Sequence, residues 1–189
     1  MSVEGSRDGG DALERLRELL RSEGGLIATL VEPNGASAYD RSAEEPASPA
    51  SIVAGGPRTA GRREEYELLI EAIYEGYLLH YAAPRVVRVP DADLRLLAGD
   101  RLYAIGLARL VDLGDTLAVA ELADTITLSA LAQGAGSRAL ADAVWTAGAR
   151  AVGWGSSEAH ARAKQLVLAG APEAIEAMRT SWMARSASP

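Results

Sequence analysis

Residues 62–81 read RREEYELLIEAIYEGYLLHY, and the spacing of their apolar side chains decides the fold class. Apolar and aromatic side chains recur every three or four residues and would share one face of a helix, at Tyr66, Ile70, Ile73, Tyr77 and Tyr81. Glu67, Glu71 and Glu75 lie four residues apart on another face, and charge rows of this kind usually face solvent. We therefore predict a long amphipathic helix with a solvated acidic side.

Helical spacing continues through the C-terminal part of the chain. Pro84 ends the first helix, and Asp91 or Asp93 caps the next one, which runs to about Leu113. Four more helices are predicted between glycine-containing breaks, at residues 116–133, 137–151, 157–168 and 172–183. No stretch alternates with period two beyond VVRV at residues 86–89. The predicted fold class is therefore all-α, an antiparallel bundle of about six helices with a flexible N-terminal extension.

The N-terminal side of the chain has a different composition. Residues 11–21 (DALERLRELLR) have leucines at helical spacing and predict a short amphipathic helix. Residues 23–61 are rich in Gly, Pro, Ser and Ala, and a tract such as SAEEPASPAS has little apolar surface to bury. We therefore predict an N-terminal extension over residues 1–60, with one helix and a disordered linker. The helical bundle domain is predicted over residues 61–185.

Composition excludes several classes of function. The 189-residue chain has a formal net charge of −7, so it lacks the basic surface expected of a nucleic-acid-binding protein. It contains no cysteine, which excludes thiolate nucleophiles and thiolate metal sites. The first ten residues have no apolar core like that of a signal peptide, and no apolar run is long enough for a transmembrane segment. We expect a cytoplasmic protein.

The familiar motifs of catalysis and cofactor binding are missing or misplaced. Di-iron bundles need a histidine three residues after a glutamate, but Tyr74 follows Glu71 at that distance and Leu78 follows Glu75. The GAGSRA segment at residues 134–139 matches a dinucleotide-binding pattern, but a helix precedes it where that pattern needs a strand. We therefore expect no metal, no cofactor and no catalytic residue that the sequence can identify.

His80 and Asp100 are the two candidate binding residues. His80 lies near the end of its predicted helix, where a structural role and a site role both remain open. Asp100 projects in line with Leu97 and Ala104, and a carboxylate on an apolar stripe needs a partner. Asp100 is therefore expected either in a polar contact within the bundle or at an interface, or in a buried structural hydrogen bond.

One segment carries a family resemblance. Residues 96–110, LLAGDRLYAIGLARL, resemble the helix of polyprenyl diphosphate synthases that contains an LAGD sequence. Residues 113–124 are similar to the next helix of that family, and residues 70–81 occupy the place of the helix that ends in its first aspartate-rich motif. The resemblance covers residues 66–133. It implies the all-helical fold of that family.

The chain departs from this family where the chemistry takes place. The synthases hold Mg²⁺ on a diphosphate through two aspartate-rich motifs, whereas residues 80–84 read HYAAP, and no second Asp-Asp pair follows. The resemblance is therefore to the non-catalytic small subunit, component I, of heptaprenyl diphosphate synthases. It implies that the chain is not catalytic on its own and associates with a catalytic subunit in isoprenoid chain elongation.

This resemblance implies a protein partner, in a hetero- or homo-oligomer, and leaves contact with a prenyl chain open. Two candidate interfaces follow: the face around Leu97 and Asp100, and an aromatic face formed by Tyr66, Tyr74, Tyr77 and Tyr81. The alternative is a small helical interaction or scaffold protein of unrelated function that reaches its partner through the N-terminal helix and linker. An enzyme with a scattered active site is a third possibility.

Overall fold

The computed structural model describes residues 5–32 and 47–183, and the side chains from residue 11 onward. These residues form nine α-helices and one 3-10 helix, with no β-strand beyond an isolated bridge between Val31 and Val87. The predicted all-α class is confirmed. The helices are α1 (Gly5–Glu23), α2 (Gly25–Thr29), α3 (Pro49–Ala54), α4 (Arg63–Tyr81), α5 (Ala92–Asp112), α6 (Thr116–Gly134), α7 (Arg138–Trp154), α8 (Glu158–Leu168) and α9 (Ala174–Thr180), and the 3-10 helix is Ala60–Arg62.

The six helices predicted after residue 61 correspond to α4–α9, with small shifts at their ends. Aspartate side chains cap the N-termini of two of these helices, α5 and α6. The Asp91 carboxylate accepts the N–H of Leu94 at 2.8 Å and thereby caps α5. Asp115 caps α6 by accepting the N–H of Ala118 at 3.0 Å. Asp91 is therefore the residue that starts α5, and Asp93 lies in its first turn.

The chain divides into two compact units. Unit 1 comprises Met1–Ser51 and Glu64–Arg109, and its core joins side chains of α1, α4 and α5, including Leu16, Leu20, Leu79 and Leu102. The division predicted at residue 60 therefore differs from the structure, because the leucines of α1 lie in the same core as those of α4 and α5. Part of the predicted linker is helical, in α2 and α3, and residues 33–46 lie outside the described residues.

Glycines allow α4 and α5 to approach closely within unit 1. A Cβ atom added to Gly76 would lie 2.9 Å from the carbonyl oxygen of Gly99, and one added to Gly99 would lie 2.6 Å from the imidazole of His80. Real Cβ atoms do not approach other atoms this closely. The two glycines therefore set the distance between the helices, and with it the position of His80 against α5.

Unit 2 comprises Ile52–Arg63 and Leu110–Pro189. Its core lies among α6–α9 and combines small side chains of α7 with larger ones, namely Leu128, Ala143, Val144, Ala147, Ala163, Val167, Ala174 and Met178. Alanines on α7 let the neighbouring helices pack near its backbone. The turn between α6 and α7 contains Gly136 with φ 70°, as expected for the glycine-containing break predicted at that place.

A helix that crosses a lipid bilayer must be both long and apolar. Within residues 5–32 and 47–183, no helix is both long enough and apolar enough to cross a lipid bilayer. The cytoplasmic location inferred from the sequence stays a prediction.

Candidate functional site

The row of three glutamates on α4 is buried, so the prediction of a solvated acidic side is wrong. Glu67, Glu71 and Glu75 are 3%, 1% and 0% exposed, respectively. Burial of carboxylates is costly unless cations and hydrogen-bond donors compensate them. Glu67 receives a hydrogen bond from Arg15 of α1 at 2.7 Å. This contact ties α1 to α4 within unit 1.

Arg85, in the connector after α4, compensates the other two carboxylates. Its Nη2 lies 2.5 Å from Oε2 of Glu71, and its Nε lies 3.2 Å from Oε2 of Glu75. The backbone N–H groups of Arg85 and Val86 both donate to Oε1 of Glu75 at 2.6 Å. Burial alone would lower the pKa of Arg85, but the charges of Glu71 and Glu75 outweigh it and raise that pKa above its ordinary value. This cluster anchors the connector to α4 and is structural.

The structure brings the two candidate binding residues together. Nε2 of His80 lies 3.1 Å from Oδ1 of Asp100, within ion-pair distance but without the alignment of a hydrogen bond. The Asp100 side chain is 68% exposed, so the alternative of a buried structural hydrogen bond is wrong, while a contact at an interface stays a prediction. The imidazole stacks on the Tyr103 ring, with centroids 5.4 Å apart. Burial, with smaller effects from the neighbouring tyrosines and Asp100, raises the pKa of Tyr103 above its ordinary value.

The predicted aromatic face is divided between the core and the surface of unit 1. Tyr66 and Tyr77 are buried, whereas Tyr81 is 43% exposed. The rings of Tyr74 and Tyr77 stack with centroids 5.7 Å apart, and those of Tyr77 and Tyr81 lie 5.3 Å apart. Tyr66 and Tyr77 therefore offer no surface to a partner, while Tyr81 does.

A second cluster, in unit 2, was not anticipated from the sequence. Nε2 of His160 lies 2.6 Å from Oε1 of Glu121, and Lys164 donates to the other oxygen of Glu121 at 2.9 Å. Lys164 also donates to Asp124 at 2.7 Å. Nδ1 of His160 lies 3.4 Å from Oγ of Ser181. The cluster thus joins α6, α8 and the residue that follows α9.

The charges of this cluster compensate one another. Burial alone would raise the pKa of Glu121, but hydrogen bonds and positive charge from His160 and Lys164 outweigh it and lower that pKa. Burial likewise opposes the protonated form of Lys164, but its contacts with Asp124 and Glu121 raise the pKa of Lys164. Glu121 is therefore a carboxylate with both oxygens engaged.

One signal in the sequence could have located this cluster. His160, Ala163 and Val167 follow one another at helical spacing, and all three are buried on α8. A histidine on the apolar side of a short helix must find a polar partner. Its partner Glu121 lies 39 residues earlier, and helical spacing within α8 gives no information about that contact.

We predict that Glu121→Gln changes the pH dependence of stability. The pKa of Glu121 is lowered from its ordinary value of 4.5 in the folded state, so its stabilising effect is present above that value and lost as pH falls through the folded pKa. The advantage of wild type over the variant is therefore expected to be about 2 kcal/mol near neutral pH and to shrink below about pH 4.5. Urea denaturation between about pH 3 and about pH 7 measures this difference.

The control for this experiment is Glu158→Gln, because Glu158 forms an exposed pair with Arg162 on the surface of α8. Exposed pairs of this kind contribute about 0–1 kcal/mol. A difference between wild type and Glu121→Gln that stays constant across the whole pH range would contradict the prediction.

Neither cluster is a recognisable metal centre. Among the residues that the structure describes, no group of three or more His, Cys, Asp or Glu side chains is arranged to hold a metal ion. The protein is all-α, and each unit contains a buried cluster of compensated charges. These are the Arg85 cluster in unit 1 and the Glu121 cluster in unit 2. No family model, curated protein or solved structure matches the chain.

Proposed function

We propose that this chain is a non-catalytic helical subunit that associates with the catalytic subunit of a prenyl diphosphate synthase in isoprenoid chain elongation. The proposal starts from the resemblance over residues 66–133. The observation that carries it is the exposure of Leu96 and Leu97, at the start of the LAGD-like segment of α5, which are 48% and 65% exposed. Exposed apolar side chains that share a helix face form a surface that can be buried against another protein.

The exposed side of α5 has the features of a helix-docking surface. We call Leu97, Arg101, Ala104 and Ala108 the α5 outer face; all four are exposed and recur at helical spacing. Its alanines permit another helix to approach closely, and Leu97 supplies the large apolar contact. Arg101 pairs with Glu23 of α1 at 3.0 Å, so its charge is already partly compensated. A helix of the catalytic subunit is the occupant that the resemblance implies.

His80 and Tyr81 provide a further argument for a non-catalytic role. They stand at the C-terminal end of α4, where the resemblance places the first aspartate-rich motif of an active synthase. His80 is held between Tyr103 and Asp100, and the carboxylates of Glu71 and Glu75 are engaged by Arg85. The carboxylates on α4 that could bind a cation are therefore occupied by an arginine. This arrangement supports a helical subunit that depends on a partner for the chemistry.

The test is coexpression with the catalytic subunit of a two-component heptaprenyl diphosphate synthase, followed by copurification and measurement of product chain length. We predict that Leu97→Glu weakens the association at least about tenfold, because a charge would replace an apolar contact in the interface. Leu168→Glu is the matched control, since Leu168 of α8 is 55% exposed and lies outside the α5 outer face. It should leave the association unchanged.

Two results would overturn this proposal. The first is a wild-type chain that neither copurifies with the catalytic subunit nor alters its products. The second is an association that Leu97→Glu and Leu168→Glu weaken equally, since that would place the contact elsewhere. Circular dichroism of both variants verifies that the helices are intact.

The alternative, an unrelated scaffold protein with a separate N-terminal arm, receives no support from the position of α1. Leu16 and Leu20 of α1 are fully buried in the core of unit 1. Deleting residues 1–60 would remove these core side chains, so the remaining chain is not expected to keep unit 1 intact.

A further inference from the structure

Unit 2 contains a cavity with a volume of about 250 Å³. It lies beside α7 and α8, and its wall includes Arg150, Trp154, His160, Ser181 and Trp182. Ala147 and Ala151 of α7 complete the apolar part of this wall. The cavity thus combines one strong cation, two indole rings and a small polar corner. It belongs to neither of the surfaces assigned above to a protein partner.

Arg150 lies within cation–π distance of both indole rings. Its guanidinium carbon lies 3.9 Å from the centroid of the Trp182 ring and 5.5 Å from that of Trp154. Stacking on indole faces holds the guanidinium plane and leaves its N–H groups pointing outward from the edge of that plane. Nε of Arg150 is buried and has no hydrogen-bond partner among residues 5–32 and 47–183. A buried donor of this kind favours an acceptor supplied by a ligand.

Glu121, the carboxylate near this cavity, is not the acceptor for the Arg150 N–H groups. Glu121 contacts His160, but its two oxygens are engaged by His160 and Lys164. His160 and Ser181, whose Nδ1 and Oγ atoms lie 3.4 Å apart, form the polar corner of the cavity. An anion beside Arg150 would meet this polar corner at one side and the indole rings at the other.

We propose that the cavity binds a small aromatic carboxylate, with Arg150 holding the carboxylate and the Trp154 and Trp182 rings contacting the aromatic body. The planar N–H fork of arginine matches the geometry of a carboxylate. A cavity of about 150 Å³ accommodates benzene in another protein, so the volume here is sufficient for a single ring with an acid group. The apolar walls favour an organic anion over a fully hydrated inorganic one.

Benzoate is the probe, titrated into the full-length protein and followed by isothermal titration calorimetry and tryptophan fluorescence. We expect a Kd between about 10 µM and 1 mM. Arg150→Met, which keeps the length and apolar character of the side chain, should weaken binding at least about tenfold. Arg162→Met is the matched control, because Arg162 is an exposed residue of α8, and it should bind benzoate like wild type. Benzamide, which lacks the charge, should bind at least about tenfold more weakly.

Thermal unfolding with benzoate distinguishes a binding site from a role of Arg150 that is limited to stacking on the two tryptophans. Benzoate should raise the melting temperature of wild type and of Arg162→Met, but not that of Arg150→Met. Absence of binding at about 10 mM benzoate, well above the expected Kd, would overturn the proposal, as would equal binding by Arg150→Met. Binding of inorganic phosphate as tight as that of benzoate would overturn the assignment to aromatic carboxylates. None of these results depends on a synthase partner.

Discussion

Replacing Arg85 by methionine is expected to lower the free energy of unfolding by about 3–5 kcal/mol, because it leaves buried carboxylates without their cation. Arg85 contacts Glu71 at 2.5 Å and Glu75 at 3.2 Å, and both glutamates are almost completely buried. Methionine fills similar space but donates no hydrogen bond. Urea denaturation near pH 7, where carboxylates are ionised in water, measures the loss.

The control is Arg88→Met, three residues further along the same connector. Arg88 pairs with Glu32 at 2.5 Å, but its side chain is 78% exposed, and such surface pairs contribute about 0–1 kcal/mol. Adding Glu71→Gln to Arg85→Met should recover part of the lost stability, because one of the two unpaired charges is then removed. A loss in Arg85→Met no larger than that in Arg88→Met would show that water reaches these carboxylates and compensates them.

The acidic row shows why the sequence predicted the helices better than the sites. The positions of Glu67, Glu71 and Glu75 within α4 follow from local spacing, as does the existence of the helix. Their burial depends on Arg15 and Arg85, which lie on α1 and in the connector. Local spacing contains no information about which segment packs against a helix face, so a solvated row and a compensated buried row have the same pattern.

The lack of information about long-range packing also explains the other differences between the sequence predictions and the structure. The helix at residues 11–21 was predicted, but its place in the core with α4 and α5 depends on long-range packing of Leu16 and Leu20. His160 is buried beside Glu121 and Ser181, and both contacts come from other segments of the chain. Caps and turns needed no distant partner: Asp91 caps α5, and Gly136 lies in the break predicted between α6 and α7. Charge compensation between segments is therefore the part of this fold that local patterns leave undetermined.

Replacing Gly56 by alanine is expected to lower the stability of unit 2 by about 3 kcal/mol, at the upper end of the usual cost of overpacking. An added Cβ would collide with the backbone of Gly153, including its carbonyl group. This backbone cannot turn aside as a side chain could, because the Gly153 carbonyl accepts the N–H of Arg58 at 3.0 Å and the neighbouring Val152 carbonyl accepts Nη1 of Arg58 at 2.7 Å. If the 189-residue chain unfolds as one unit, its melting temperature should fall by about 6–12 °C.

Two further glycines of unit 2 make this experiment a graded series. An added Cβ at Gly153 would lie 3.2 Å from Cα of Gly56, which is tight but not a collision, whereas one at Gly61 would meet nothing within 4 Å. Thermal unfolding should therefore rank Gly56→Ala as the most destabilised, Gly153→Ala as intermediate, and Gly61→Ala as close to wild type. If Gly56→Ala melted at the same temperature as Gly61→Ala, the contact between the Gly56 and Gly153 backbones would not be a tight one. The segment after α3 would then be able to move away from α7 at little cost. The hydrogen bonds from Arg58 to the carbonyl groups of Gly153 and Val152 argue against such movement.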